Sequence, residues 1–137
     1  MSEQDNPLFE RRKRQRFVPR RDGAFCFSVV IEGGRMPVLD LSLEGFAVPA
    51  ETPPQADRQF SFALRRNGRD GEVHGTARIV NFVGAVGGGQ AGCLFDGFEG
   101  DGRERLEEWL REHVYEASAL PITRDEAGRI VTGPSLV

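Results

Sequence analysis

Cysteine is scarce. Cys26 and Cys93 are the only two in 137 residues, far apart, with no CxxC pair and no zinc-ligand spacing. Each sits in an apolar stretch, AFCFSVV or AGCLF, where a thiol behaves as a small buried hydrophobe. The pair reads as reduced rather than as a disulfide. Histidine is as rare, and neither His74 nor His113 stands in a pattern that pairs it with a nucleophile or a ligand set. No metal site and no catalytic triad follow from the sequence, and the chain reads as a non-enzyme. No apolar run approaches the roughly 20 residues of a membrane span. The opening MSEQDNPLFERRKRQR has no hydrophobic segment behind its charges, so it is no secretory signal and the expected location is the cytoplasm.

What is abundant points to strands. Gly (17) and Pro (8) favour many turns over a helical bundle. Residues 24–32 (AFCFSVVIE) are aromatic and β-branched, Gly33-Gly34 suggests a hairpin turn, and 35–42 (RMPVLDLS) reads as the return strand. A short strand follows at 46–48. In 58–66, Phe60, Phe62 and Leu64 alternate with Gln59, Ser61 and Ala63; in 72–82, Val73, Gly75, Ala77 and Ile79 alternate with Glu72, His74, Thr76 and Arg78. NGRDG (67–71) joins these two strands, and the glycine-rich 83–90 leads to a last strand at 91–98. The period then changes. Leu106, Trp109, Leu110, His113, Val114 and Ala117 define one face of a helix over 101–118, with Asp101 and Glu104 spaced as a capping box. The expected fold is mainly β: a six-stranded antiparallel barrel with a C-terminal α-helix. Its domain organisation is a flexible basic N-terminal arm (1–22), the barrel and helix (23–118) and a loose tail (119–137).

Charge is segregated. Residues 10–21 hold seven basic residues and one acid, a net +6, whereas residues 22–137 hold 11 basic and 18 acidic residues, a net −7. A basic arm on an acidic body implies an anionic partner for the arm, although such a run is often only a solvated tail. Six of the seven are Arg, the side chain suited to bidentate contact with phosphate and with the acceptor edge of guanine.

Two motifs stand out. Arg16 to Arg20 form RxxxR at the junction of arm and body, overlapped by a second RxxxR from Arg12 to Arg16. Asp40-Leu41-Ser42-Leu43-Glu44-Gly45 form DxSxxG at the end of the second strand. Asp40 and Ser42, two apart on a strand, share one face, and Gly45 admits a close backbone approach. The plain alternative is an ordinary strand end with Asp40 or Ser42 capping a turn.

The order RxxxR, first strand, DxSxxG, a GxxF-like Gly92 to Phe95 and a terminal helix resembles the PilZ domain family over residues 10–118. The resemblance implies a receptor for the second messenger cyclic di-GMP, with no further cofactor. It implies that Arg16 and Arg20 hold guanine edges and phosphates, that Asp40 and Ser42 hold the base, and that Gly45 lets it approach the backbone. Arg11, Arg12 and Arg14 could serve a second copy of the ligand, so one or two ligands per chain remain open. The arm would wrap the dinucleotide against the barrel and present a changed surface to a downstream protein. Two alternatives stand beside this one: a small nucleic-acid-binding barrel, and a PilZ-like protein-interaction module that binds no nucleotide. The Phe residues alternate as core rather than forming a stacking platform, which weighs against nucleic acid.

Overall fold

The computed structural model describes residues 17–21, 23–55, 57–118 and 121–133. A short hairpin opens them: β1 (Arg20–Arg21) pairs with β2 (Ala24–Phe25). Seven further strands form one antiparallel sheet: β3 (Phe27–Ile31), β4 (Gly34–Pro37), β5 (Asp40–Leu41), β6 (Gly45–Ala50), β7 (Gln59–Arg66), β8 (Val73–Ala85) and β9 (Gly88–Phe98). Their spatial order is β4-β3-β7-β8-β9-β6-β5. Two helices follow, α1 (Gly102–Ala117) and α2 (Arg124–Thr132).

The mainly β architecture agrees with the expectation, but the six-stranded closed barrel does not. The sheet has seven strands and curls into a half-barrel. The extra strand arises because the single return strand expected over 35–42 changes partners midway. Val38 N–H donates to Phe27 O on β3 (3.1 Å), and the next residue, Leu39, donates to Ala47 O on β6 (2.8 Å). One continuous segment therefore serves both ends of the sheet, which forces the sheet to curl. The turn before it also shifts by one residue. Ile31 pairs with Gly34, so the turn residues are Glu32 and Gly33, both with positive φ (52° and 82°).

Alternation along β7 and β8 sets the core. Phe60, Phe62 and Leu64 on β7, and Val73, Ala77 and Ile79 on β8, are buried with Phe27, Val29, Leu41, Phe46 and Cys93. Phe46, Phe62, Phe95 and Phe98 pack as one aromatic cluster, with centroids 4.8 Å apart for Phe95 and Phe98. Helix α1 lays Leu106, Trp109, Leu110 and His113 on this core, as its spacing predicts, whereas Ala117 is left exposed.

Asp101 makes no capping bond. Its backbone (φ −91°, ψ 23°) is not the extended geometry a capping side chain needs, and Gly102 N–H donates instead to Glu99 O at 3.0 Å. The capping box stands one helix later. Thr123 Oγ1 accepts from Glu126 N–H (3.0 Å), and Thr123 N–H donates to Glu126 Oε1 (2.8 Å). It starts α2 inside the region expected as a loose tail. Ala127 and Val131, four apart, are fully buried, with Val131 joining the core, so the described part of that segment is folded.

Candidate ligand-binding site

The end of the basic arm is stitched to the DxSxxG strand. Phe17 N–H donates to Leu41 O at 2.9 Å, and Leu41 N–H donates to Phe17 O at 3.0 Å, forming an isolated antiparallel bridge. β5 is thus covered by Phe17 on one side and by β6 on the other, where Leu41 faces Phe46. Pro19 is buried and its carbonyl accepts from Cys26 N–H at 2.7 Å, while Val18 stays exposed. The described part of the expected flexible arm, residues 17–21, is therefore hydrogen-bonded to the body. Arg11, Arg12, Arg14 and Arg16 lie outside the described residues.

Arg20 is placed by its hairpin. Its side chain donates from Nη2 to Gly23 O at 3.0 Å, and its guanidinium carbon lies 4.7 Å from the Phe25 ring centre, a cation–π contact. One of five N–H donors is thereby used. The next residue, Arg21, reaches away from the site to Glu116 of α1 at 3.2 Å.

Ser42 takes a part in the turn. It is 3% exposed, and its Oγ accepts from Glu44 N–H (3.0 Å) and Gly45 N–H (3.3 Å), while its own N–H donates to Gly45 O at 2.9 Å. These bonds close the turn joining β5 to β6. Gly45 has an equally local reason. A Cβ there would lie 2.0 Å from Cys93 O, so only glycine lets β6 approach β9. Within DxSxxG, the serine closes the turn and the glycine admits the close approach of β6 to β9.

Asp40 opens a row across the outer face. The register pairs Asp40 with Ala47, Ala47 with Gly92, and Gly92 with Asn81, running over β5, β6, β9 and β8. The neighbouring row, Leu41–Phe46–Cys93–Ile79, points into the core, so Asp40 and Asn81 share the opposite side. Asn81 lies over Gly92: its Oδ1 accepts from Gly92 N–H at 3.1 Å, leaving its NH₂ as a donor on this face. A Cβ on Gly92 would lie 2.4 Å from that oxygen.

Sequence reasoning missed Asn81 because strict alternation along 72–82 places it inward with Ile79. A bulge reverses this: Cys93 pairs with Ile79 and Gly92 with Asn81, leaving Val80 as the extra residue. The available signal was a polar residue at an inward position.

A sequence profile of the PilZ domain matches residues 10–112. The chain belongs to the PilZ domain family. Among solved structures it is similar to Bacillus subtilis inhibitor of motility (MotI/DgrA), with a TM-score of 0.63 and 11% identity over 79% of this chain and 53% of that one. The chain thus spans about half of that protein's length, and the likeness is one of fold. No curated protein matches it in sequence.

In this PilZ domain a charged cluster joins the end of β7 to α1. Arg66, 5% exposed, donates to Glu112 (3.0 Å) and Glu116 (3.1 Å), and Arg69 and Arg21 meet Glu116 from outside at 3.1 and 3.2 Å. His113 is packed beneath, edge-on to Phe27. Burial lowers its pKa, helped by Arg66 and Arg21 and opposed by Glu116. Burial pushes the Cys93 thiol up to about 12, so it is inert at neutral pH. The described residues contain no cluster of metal-ligating side chains, and none of their helices is long and apolar enough to cross a membrane.

Proposed function

We propose that this PilZ domain is a non-catalytic receptor for cyclic di-GMP. The ligand lies on the outer face between the arginines of the arm and the row from Asp40 to Asn81. The observation that carries the reading is the Phe17–Leu41 bridge, because it sets the two motifs side by side although 23 positions separate Phe17 from Asp40.

The chemistry of the donor set fits the ligand. Guanine offers O6 and N7 as paired acceptors, suited to the guanidinium forks of Arg16 and Arg20, and its N1–H and N2–H₂ suit the Asp40 carboxylate. Arg11, Arg12 and Arg14 supply charge for the two phosphates or for a second ligand. The acidic body disfavours a dianion at long range, but screening over about 8 Å leaves the local arginines in control. Ser42 acts by holding the turn that presents Asp40, and Gly45 by letting β6 close on β9. Arg21 extends from the same hairpin as Arg20 to Glu116, so a shift of the hairpin on ligand binding reaches α1 and the surface it offers a partner protein.

Calorimetric titration with cyclic di-GMP, followed in parallel by amide NMR, tests this. The expected result is micromolar or tighter binding, weakened about tenfold or more by Arg16→Ala, Arg20→Ala or Asp40→Ala, as loss of a bidentate contact implies. Cyclic di-AMP and linear dinucleotides bind more weakly. An unchanged spectrum at saturating ligand overturns the reading.

A further inference from the structure

One strand of the sheet outruns its neighbour. β8 extends to Ala85, but β7 pairs with it only up to Arg78, opposite Gln59, and two more main-chain bonds tie Ile79 to Asp57 and Arg58. From Val80 to Ala85 no strand lies against that side among the described residues. The other side stays in regular register with β9, from Asn81–Gly92 to Ala85–Gly88. Alternate main-chain N–H and C=O groups along this stretch face a missing neighbour.

Sheets normally blunt such an edge with charge, proline or brevity. None of these is present here. Residues 79–95 form a run of 17 positions with no charged residue and no proline, in a chain that is 28% charged. Val83 is 59% exposed and Val86, at the hairpin tip, is fully exposed.

We propose that this edge pairs antiparallel with the same edge of a second copy of the chain, giving a two-fold homodimer through Val80–Ala85. Antiparallel pairing of one strand with itself is self-complementary, so each unpaired donor meets the matching acceptor of the copy. Charge selects the same occupant. Residues 22–137 carry a net −7, and at this uncharged hairpin two such bodies approach without like-charge contact. A charged strand would find no counter-charge on it. Six residues a side fall well short of the roughly 20–30 of a standard interface, so the dimer is weak, with a dissociation constant in the micromolar range or above. Asn81 lies within the paired segment, so two outer faces meet across the two-fold axis. The proposal does not depend on what those faces bind.

Sedimentation velocity on the full chain, from low micromolar to submillimolar concentration, and concentration-dependent amide shifts test it. The average mass is expected to rise from 15.2 kDa toward twice that value. The amides that move are expected within 80–86, and Val83→Lys is expected to keep the protein monomeric. Val86→Glu, at the exposed tip, repeats the test where folding is not at stake. A monomer throughout, or a dimer whose moving amides lie elsewhere and which survives both substitutions, overturns the proposal. Should Val83→Lys fail to fold, the amide map of the unaltered chain decides alone.

Discussion

Phe17 and Leu41 exchange both of their main-chain hydrogen bonds, at 2.9 and 3.0 Å, and so join the end of the arginine motif to the strand that carries Asp40. The bridge holds the Phe17 end of the first motif against the strand that carries the second. It also ties Phe17, inside the segment whose composition reads as arm, to the sheet.

The three named positions of DxSxxG separate by experiment. Ser42→Ala leaves one buried and one part-buried N–H group without their acceptor, a loss of about 1–3 kcal/mol of stability. Gly45→Ala drives a Cβ into Cys93 O and costs still more, about 3 kcal/mol or above, by forcing β6 from β9. Asp40→Asn is expected to reduce ligand affinity more than stability. Urea unfolding beside calorimetry checks this. A Ser42→Ala protein of unaltered stability that has lost the ligand would make the hydroxyl a direct contact.

The motifs, the alternation of β7 and β8 and the buried face of α1 were legible because each is a local pattern with one physical meaning. What escaped depends on long-range register. Nothing in RMPVLDLS says that Val38 bonds to β3 and Leu39 to β6. Nothing near Asn81 announces that Val80 is an extra residue, because a bulge is a property of two strands together. Asp101 and Glu104 have the spacing of a capping box and lack the backbone, whereas Thr123 and Glu126 have both. Helix α2 was hidden by its low hydrophobic content, yet Ala127 and Val131 show the i, i+4 pair that buries it.

Asn81→Asp tests the outer row. The carboxylate keeps an acceptor for Gly92 N–H, so stability is expected to hold within about 0.5 kcal/mol. It replaces the NH₂ donor with a negative charge on the face proposed for a dianionic ligand. Affinity for cyclic di-GMP is then expected to fall about tenfold, and the deficit to shrink as salt is raised, because screening weakens the added repulsion. Calorimetry at low and high salt reads both.

Arg66 is the most buried cation of the charged cluster, and its two partners are about a third exposed. Arg66→Ala removes the charge and leaves Glu112 and Glu116 facing each other with Arg21 and Arg69 as remaining partners. The partial solvation of the glutamates tempers the penalty usual for a broken buried pair, to about 2 kcal/mol. Glu112→Gln, which keeps a hydrogen-bond acceptor for Arg66, is expected to cost less. Thermal unfolding of the two variants ranks them.

His113 makes stability depend on pH in a fixed direction. Its pKa in the fold lies below the unfolded value of 6.5, so near and below 6.5 the unfolded chain binds more protons than the folded one. Its contribution is fully present above that pH and is lost as pH falls from 6.5 through the folded value, after which no further loss arises from this group. Its buried Nδ1 has no hydrogen-bond partner among the described residues, so the imidazole brings a polar atom into the core without compensation from them. His113→Phe keeps a ring against Phe27 and removes both the proton and the unpaired nitrogen. The variant is expected to be at least as stable as the parent at pH 7.5 and to lose less of its urea midpoint between pH 7.5 and 5. Equal acid sensitivity in both proteins would assign the effect to other groups, and a variant much weaker at pH 7.5 would mean that the imidazole makes a bond this geometry does not contain.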